Sequence, residues 1–98
     1  MNYSVLMSIY HKEKPEHLRE SLSSIFEQTK LTNDFVLVCD GPLTEDLDNV
    51  IAQAEAVYGN IMHTIRLDKN VGLGRALNIG LGKCKNNVVA RMDADDIA

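Results

Sequence analysis

The chain has 98 residues, 45% of them apolar and 24% charged, with a net charge of −4. That length allows one domain with a real core, and the composition is that of an ordinary soluble globular protein. The negative balance excludes a basic footprint for nucleic acid or an anionic membrane surface.

Tyr3 to Tyr10 is a nearly continuous apolar segment, the pattern of a strand covered on both faces. A helix is predicted to follow, with Pro15 in its first turn and Glu16 near the positive end of its dipole. Leu18, Leu22, Ile25 and Phe26 then recur as one apolar stripe. Phe35 to Cys39 is a second uninterrupted strand, stopped by the turn signal Asp40-Gly41-Pro42. Thr44 suits the N-cap of the next helix, with Glu45, Asp46 and Asp48 in the first turn and Gly59 placed to end it. Its apolar face is Leu47, Val50, Ile51, Ala54, Val57 and Tyr58. Ile61 to Leu67 alternates, with Ile61, His63, Ile65 and Leu67 on one side and Met62, Thr64 and Arg66 on the other. That more polar pattern predicts a strand near the sheet edge. After a loop from Asp68 to Gly72, the residues Leu73, Ala76, Leu77, Leu81 and Cys84 predict a third helix, with Lys83 and Lys85 favouring its C-terminal end. Asn86-Asn87 then turns the chain into a last strand, Val88 to Met92, which runs into Asp93-Ala94-Asp95-Asp96.

The order β-α-β-α-β-α-β predicts an α/β fold of three layers, a mostly parallel sheet with right-handed crossovers and helices on both faces. Residues 1–98 read as a single domain, without repeat or linker. No apolar run approaches the roughly 20 residues that span a bilayer, and Met1-Asn2-Tyr3-Ser4 lacks the marks of a signal peptide. Cys39 and Cys84 stand in no metal-ligand or CxxC spacing and read as buried free thiols of a reducing cytoplasm.

In sheets of this kind the ligand crevice lies beyond the carboxyl ends of the strands. Tyr10-His11-Lys12, Asp40-Gly41 and Asp93 to Asp96 all fall at such ends. Carboxylates this close repel one another, and hard cations such as Mg²⁺ and Mn²⁺ prefer carboxylate oxygens. The acidic run therefore reads either as a cation site or as a solvated turn. Asp40 is an Asx-type turn residue or a hydrogen-bond acceptor for a ligand. Tyr10 packs locally or stacks on a base.

Several motifs are excluded. As an EF-hand loop beginning at Asp93, the chain would place Ile97 at the fifth position and Ala98 where glycine is required. Gly72-Leu73-Gly74 opens like a dinucleotide fingerprint, but Leu77 holds the place of the third glycine and no Walker A sequence is present. His11, His17 and His63 have no mutual metal spacing, and a structural role is expected for His17 and His63.

Four stretches together resemble the N-terminal half of family 2 glycosyltransferases, which have the GT-A fold. "YSVLMSIYHKEKPEHLRESLSSIFEQT" is similar to that family's first strand and helix, and "FVLVCDGPLTEDLDNVI" to its strand ending in an Asp-Gly turn. "LDKNVGLGRALNIGL" resembles its Asn-x-Gly loop and helix, and "ARMDADDI" its metal-binding DxD. The resemblance implies an inverting sugar transferase using a nucleotide-diphosphate sugar, a UDP-sugar above all, and a saccharide acceptor, in bacterial surface polysaccharide synthesis. It implies Tyr10 against the base, Ser8 and Ile9 on the floor, and Asp40 accepting from the base; Arg75, two residues before the family's usual arginine position, could reach phosphate in its place. Asp93 would lie near the ribose and, with Asp95, would hold Mn²⁺ or Mg²⁺.

Cys39-Asp40-Gly41-Pro42 departs from the Asp-Asp-Gly-Ser common in that family, and Leu77 stands where an arginine is frequent. The resemblance further implies a donor-binding portion with no catalytic base among these residues, the base and acceptor site being expected downstream. A cytoplasmic location is expected, or a peripheral one at the inner membrane face, with self-association through an uncovered sheet edge. A nucleotidyltransferase and a non-catalytic α/β nucleotide- or metal-binding module are the alternatives. A nucleotidyltransferase would be expected to carry a loop rich in glycine and basic residues after the first strand, whereas Tyr10-His11-Lys12-Glu13-Lys14-Pro15 has no glycine.

Overall fold

The two most apolar runs of the sequence become the two central strands of a parallel sheet. In the computed structural model, which describes residues 3–28 and 34–93, seven elements alternate. They are β1 (Ser4–Ile9), α1 (Pro15–Gln28), β2 (Asp34–Cys39), α2 (Glu45–Tyr58), β3 (Met62–Arg66), α3 (Leu73–Leu81) and β4 (Val89–Asp93). The strands lie in the order β3-β2-β1-β4, every neighbouring pair parallel. β3 occupies an edge, as its alternating pattern predicts.

Successive side chains of β1 and β2 divide between two cores, which is why both faces of each strand carry apolar residues. Val5, Met7 and Ile9 join Phe35, Leu37 and Cys39 beneath Leu18, Leu22 and Ile25 of α1 and Leu47, Val50 and Ile51 of α2. Leu6, Val36 and Val38 face the other way, against Ala76 of α3, with Ile65, Leu77, Cys84 and Val89 around them. Burying each such Leu, Ile, Val or Phe side chain contributes about 1.5–3 kcal/mol of transfer free energy. The helices α1 and α2 step the sheet outward from β1 to β3, whereas α3 carries the chain back to the far side of β1. Right-handed crossovers in opposite directions place their helices on opposite faces, so the three-layer α/β expectation holds.

Local signals explain the element ends. Thr44 caps α2, its Oγ1 accepting from the Leu47 N–H at 3.2 Å, with Glu45, Asp46 and Asp48 in the first turn. Gly59 follows as the C-cap. Helix α3 stops at Leu81, not at Cys84: Gly82 is its C-cap, and the N–H groups of Lys83 and Cys84 donate back to Gly80 and Leu81 in tight turns. Lys83 and Lys85 therefore lie beyond the helix. The apolar stripes are also narrower than the sequence implies, for Val57, Leu73 and Leu81 are exposed. Gly80 is buried in their place, where an added Cβ would lie 2.5 Å from Leu6 Cδ1 and 2.6 Å from Val38 Cγ2. The missing side chain lets α3 sit close on the sheet.

A polar cluster lies at the amino end of the sheet. Asp34 is fully buried; its Oδ2 accepts from Ser4 Oγ at 2.7 Å and from the Lys85 N–H at 2.6 Å. Ser4 Oγ accepts in turn from the Asn86 N–H at 3.1 Å and from Asn86 Nδ2 at 3.2 Å. His63 Nε2 stands 3.4 Å from Asp34 Oδ1, but the imidazole is largely exposed. Removing an acceptor of charge-assisted bonds leaves its buried donors unsatisfied. Asp34→Ala is expected to destabilise the fold by roughly 3 kcal/mol, while His63→Ala is expected to cost less than about 1 kcal/mol. Chemical denaturation of both variants checks this; equal losses would place the stabilisation in the ion pair instead of the buried bonds.

Candidate functional site

The strand register fixes what meets at the carboxyl rim. Ser8 of β1 is opposite Asp93 of β4, Ile9 is opposite Cys39 of β2, and Cys39 is opposite Arg66 of β3. Tyr10 and Asp40 each follow directly on a strand end. The order of strands reverses at β1, so the topological switch point lies between β1 and β4, where open α/β sheets bind their ligands. From β4 across β1 to β2 is two strand spacings, about 10 Å. Asp93, Tyr10 and Asp40 thus head three adjacent strands in that order.

Ser8 is the partly exposed residue of an otherwise buried β1. Ile9 is buried, its side chain in the core beneath α1 and α2, while its carbonyl accepts from the Asp40 N–H at 2.8 Å. Tyr10 is 42% exposed, with the ring of His11 edge-on at a centroid distance of 5.6 Å. Arg75 is exposed in the first turn of α3. Asp95 and Asp96 lie outside the described residues.

Asp40 is only 4% exposed. Its Oδ1 accepts from the Val71 N–H at 2.7 Å and its Oδ2 from the Gly72 N–H at 3.1 Å. The Asn70 side chain returns a bond, Nδ2 donating to the Asp40 carbonyl at 3.2 Å. The two rim loops approach so closely that a Cβ at Gly41 would sit 2.8 Å from the Asn70 backbone nitrogen, and Gly41 has φ +92°. Both facts favour glycine there. The Asn70 loop was legible as a loop, but its bonds to Asp40 were not. A turn aspartate followed by glycine was the available signal.

Two further groups stand at the ends of β2 and β3. Burial pushes the Cys39 thiol up to about 11, against a smaller lowering by Arg66. Arg66 Nη1 donates to Asp48 Oδ1 at 2.8 Å, and that bond raises the guanidinium above its ordinary value. This ion pair is half exposed and engages the guanidinium opposite Cys39 in the strand register.

The donor chemistry of Asp93 fits a hard divalent ion. Among the described residues no group of three His, Cys, Asp or Glu side chains forms a metal site, and the second acid of the DxD, Asp95, lies outside them.

An all-parallel α/β sheet with a reversal at its first strand belongs to the open α/β class, which takes its ligands at the carboxyl rim. Residues 4–98 match the glycosyl transferase family 2 profile, and the chain belongs to that family. It is 48% identical over 97 residues to the amylovoran biosynthesis glycosyltransferase AmsE of Erwinia amylovora, covering 97% of this chain and 35% of that protein. It is 43% identical over 95 residues to the UDP-Gal:alpha-D-GlcNAc-diphosphoundecaprenol beta-1,3-galactosyltransferase of Escherichia coli, covering 97% of this chain and 34% of that protein. The chain therefore spans about a third of the length of these curated relatives. Its fold is also that of a mannosyltransferase, PcManGT from Pyrobaculum calidifontis, in complex with GDP-Man and Mn²⁺. The TM-score is 0.80 at 20% identity, covering 95% of this chain and 27% of that one. Among the described residues no helix is long and apolar enough to cross a membrane.

Gly41→Ala is expected to destabilise the protein by about 1–3 kcal/mol, because a side chain at that φ is strained and meets backbone; thermal unfolding measures it. In the native protein at pH 8, Cys39 is expected to resist a thiol reagent until denaturant is added. Its thiolate is about 100-fold scarcer than that of an ordinary cysteine, so prompt labelling of Cys39, located by peptide mapping, would contradict the burial.

Proposed function

We propose that the protein transfers a sugar from a nucleotide-diphosphate sugar, with UDP the favoured nucleotide, to a hydroxyl of a saccharide acceptor. The proposed reaction inverts the anomeric centre and serves bacterial surface polysaccharide synthesis at the cytoplasmic side of the membrane. The observation that carries the reading is the convergence of Asp93, Tyr10 and Asp40 on three adjacent strand ends at the switch point, in a chain of this family. The amylovoran and undecaprenol-linked relatives support the polysaccharide setting.

In this reading the exposed Tyr10 ring stacks on the base, and Asp40 accepts from its edge. An ionised carboxylate offers about four acceptor sites, so two bonds to loop N–H groups leave room for a third. Ser8 lines the floor between Tyr10 and Asp93, with Ile9 contributing backbone, and the exposed Arg75 reaches the phosphates. Asp93 and Asp95 would hold Mn²⁺ or Mg²⁺, whose charge would offset that of the departing nucleoside diphosphate. No described residue is proposed as the general base that takes the acceptor proton.

Calorimetric titration of the full-length protein with UDP and GDP, with and without Mn²⁺, tests the reading. Binding is expected to depend on Mn²⁺, to favour UDP, and to weaken at least about tenfold in Asp95→Ala, the loss of one charged ligand contact. A folded protein that binds neither nucleotide would remove the proposal.

A further inference from the structure

The bonds around Asp40 form a reciprocal clasp between two rim loops. The carboxylate holds the Val71 and Gly72 N–H groups, and the Asn70 amide holds the Asp40 carbonyl. Asp40 itself is fixed by its N–H on the Ile9 carbonyl, and Gly41 leaves no gap between the loops. Gly72, the residue clasped at one end, is also the N-cap of α3, with φ +95° and no side-chain cap bond. Helix α3 has no side-chain cap at its start, and the Asp40 carboxylate holds the backbone just before Leu73. Arg75 is in the first turn of that helix.

We infer that Asn70 is a positioning residue for the donor site: through the Asp40 carbonyl it sets both the Asp40 carboxylate and the first turn of α3 that bears Arg75. This rests on the nucleotide reading of the rim. Asn70 is exposed, its bond to the Asp40 carbonyl is the side-chain contact that ties it to the other loop, and its deletion removes no core packing. That separates it from Asp40, whose substitution would disturb the clasp and any base contact together.

The test compares wild type, Asn70→Ala and Asn70→Asp in the full chain. Asn70→Asp keeps the size of the side chain but lacks the donor. Two quantities are read: the Kd for UDP with Mn²⁺ by calorimetry, and amide exchange by mass spectrometry of the segment 68–75 without nucleotide. Both variants are expected to weaken UDP binding by roughly fivefold to tenfold, the worth of one net hydrogen bond. Both are expected to speed exchange in 68–75 while the β1 and β2 segments keep wild-type protection. Faster exchange with unchanged Kd would mean the clasp is structural only and overturns the inference. Weaker binding with unchanged exchange would mean Asn70 touches the nucleotide itself, which overturns it as well. Failure of wild type to bind UDP removes the nucleotide reading and this inference with it, whereas binding that survives both substitutions removes this inference alone.

Discussion

A sheet of four parallel strands that grows outward from β1 to β3 must carry its chain back across itself to add a strand on the other side, and α3 does so. Both ends of that crossover are pinned to the two ends of β2 by buried carboxylates. Beyond the carboxyl end, Asp40 takes the Val71 and Gly72 N–H groups where the chain enters α3. At the amino end, Asp34 takes the Lys85 N–H where the chain leaves it. Lone buried charges are costly, but a carboxylate bonded to backbone N–H groups satisfies donors that a turn would otherwise leave orphaned. The position of the switch point depends on these two anchors and on the small footprint of Gly80.

Much of this was legible in the sequence because it is local. Continuous apolar runs gave the central strands, alternation gave the edge strand, and Thr44 and Gly59 bounded α2. The rim residues followed from strand ends alone. What was hidden is non-local. Asp34 reads as the polar residue before a strand, whereas its partners lie at Ser4 and Lys85, 30 and 51 residues away. The clasp between Asp40 and the Val71 N–H spans 31 residues, and no periodicity encodes such pairs. The end of α3 was misread for a different reason. Cys84 does pack on the core side reached by α3, so its apolar character continued the helical pattern although the chain reaches it through turns.

In the proposed reading Asp40 carries two duties that need not compete. Its alternative sequence readings, turn residue and ligand acceptor, correspond to different lone pairs of one carboxylate. The turn duty is visible in the hydrogen bonds; the proposed ligand duty would use the acceptor capacity that remains. A residue already rigidified by backbone donors also loses little entropy when a ligand meets it. Preorganisation of the first duty thus favours the second.

The charge of the rim points the same way. The chain is net negative, Asp93 and Asp40 stand at its carboxyl rim, and Asp95 follows two residues later in sequence. An anionic nucleoside diphosphate would meet repulsion there unless cations intervene. Arg66 is engaged by Asp48, which leaves Arg75 on α3 as the exposed guanidinium in the helix that follows the Asp40 clasp. Lys12 after β1 and Lys69 beside Asn70 add flexible cations in the rim loops, whereas a divalent ion would meet the acids at one fixed point. In the proposed reading a divalent ion would offset the charge that Asp93 and Asp95 place beside a diphosphate.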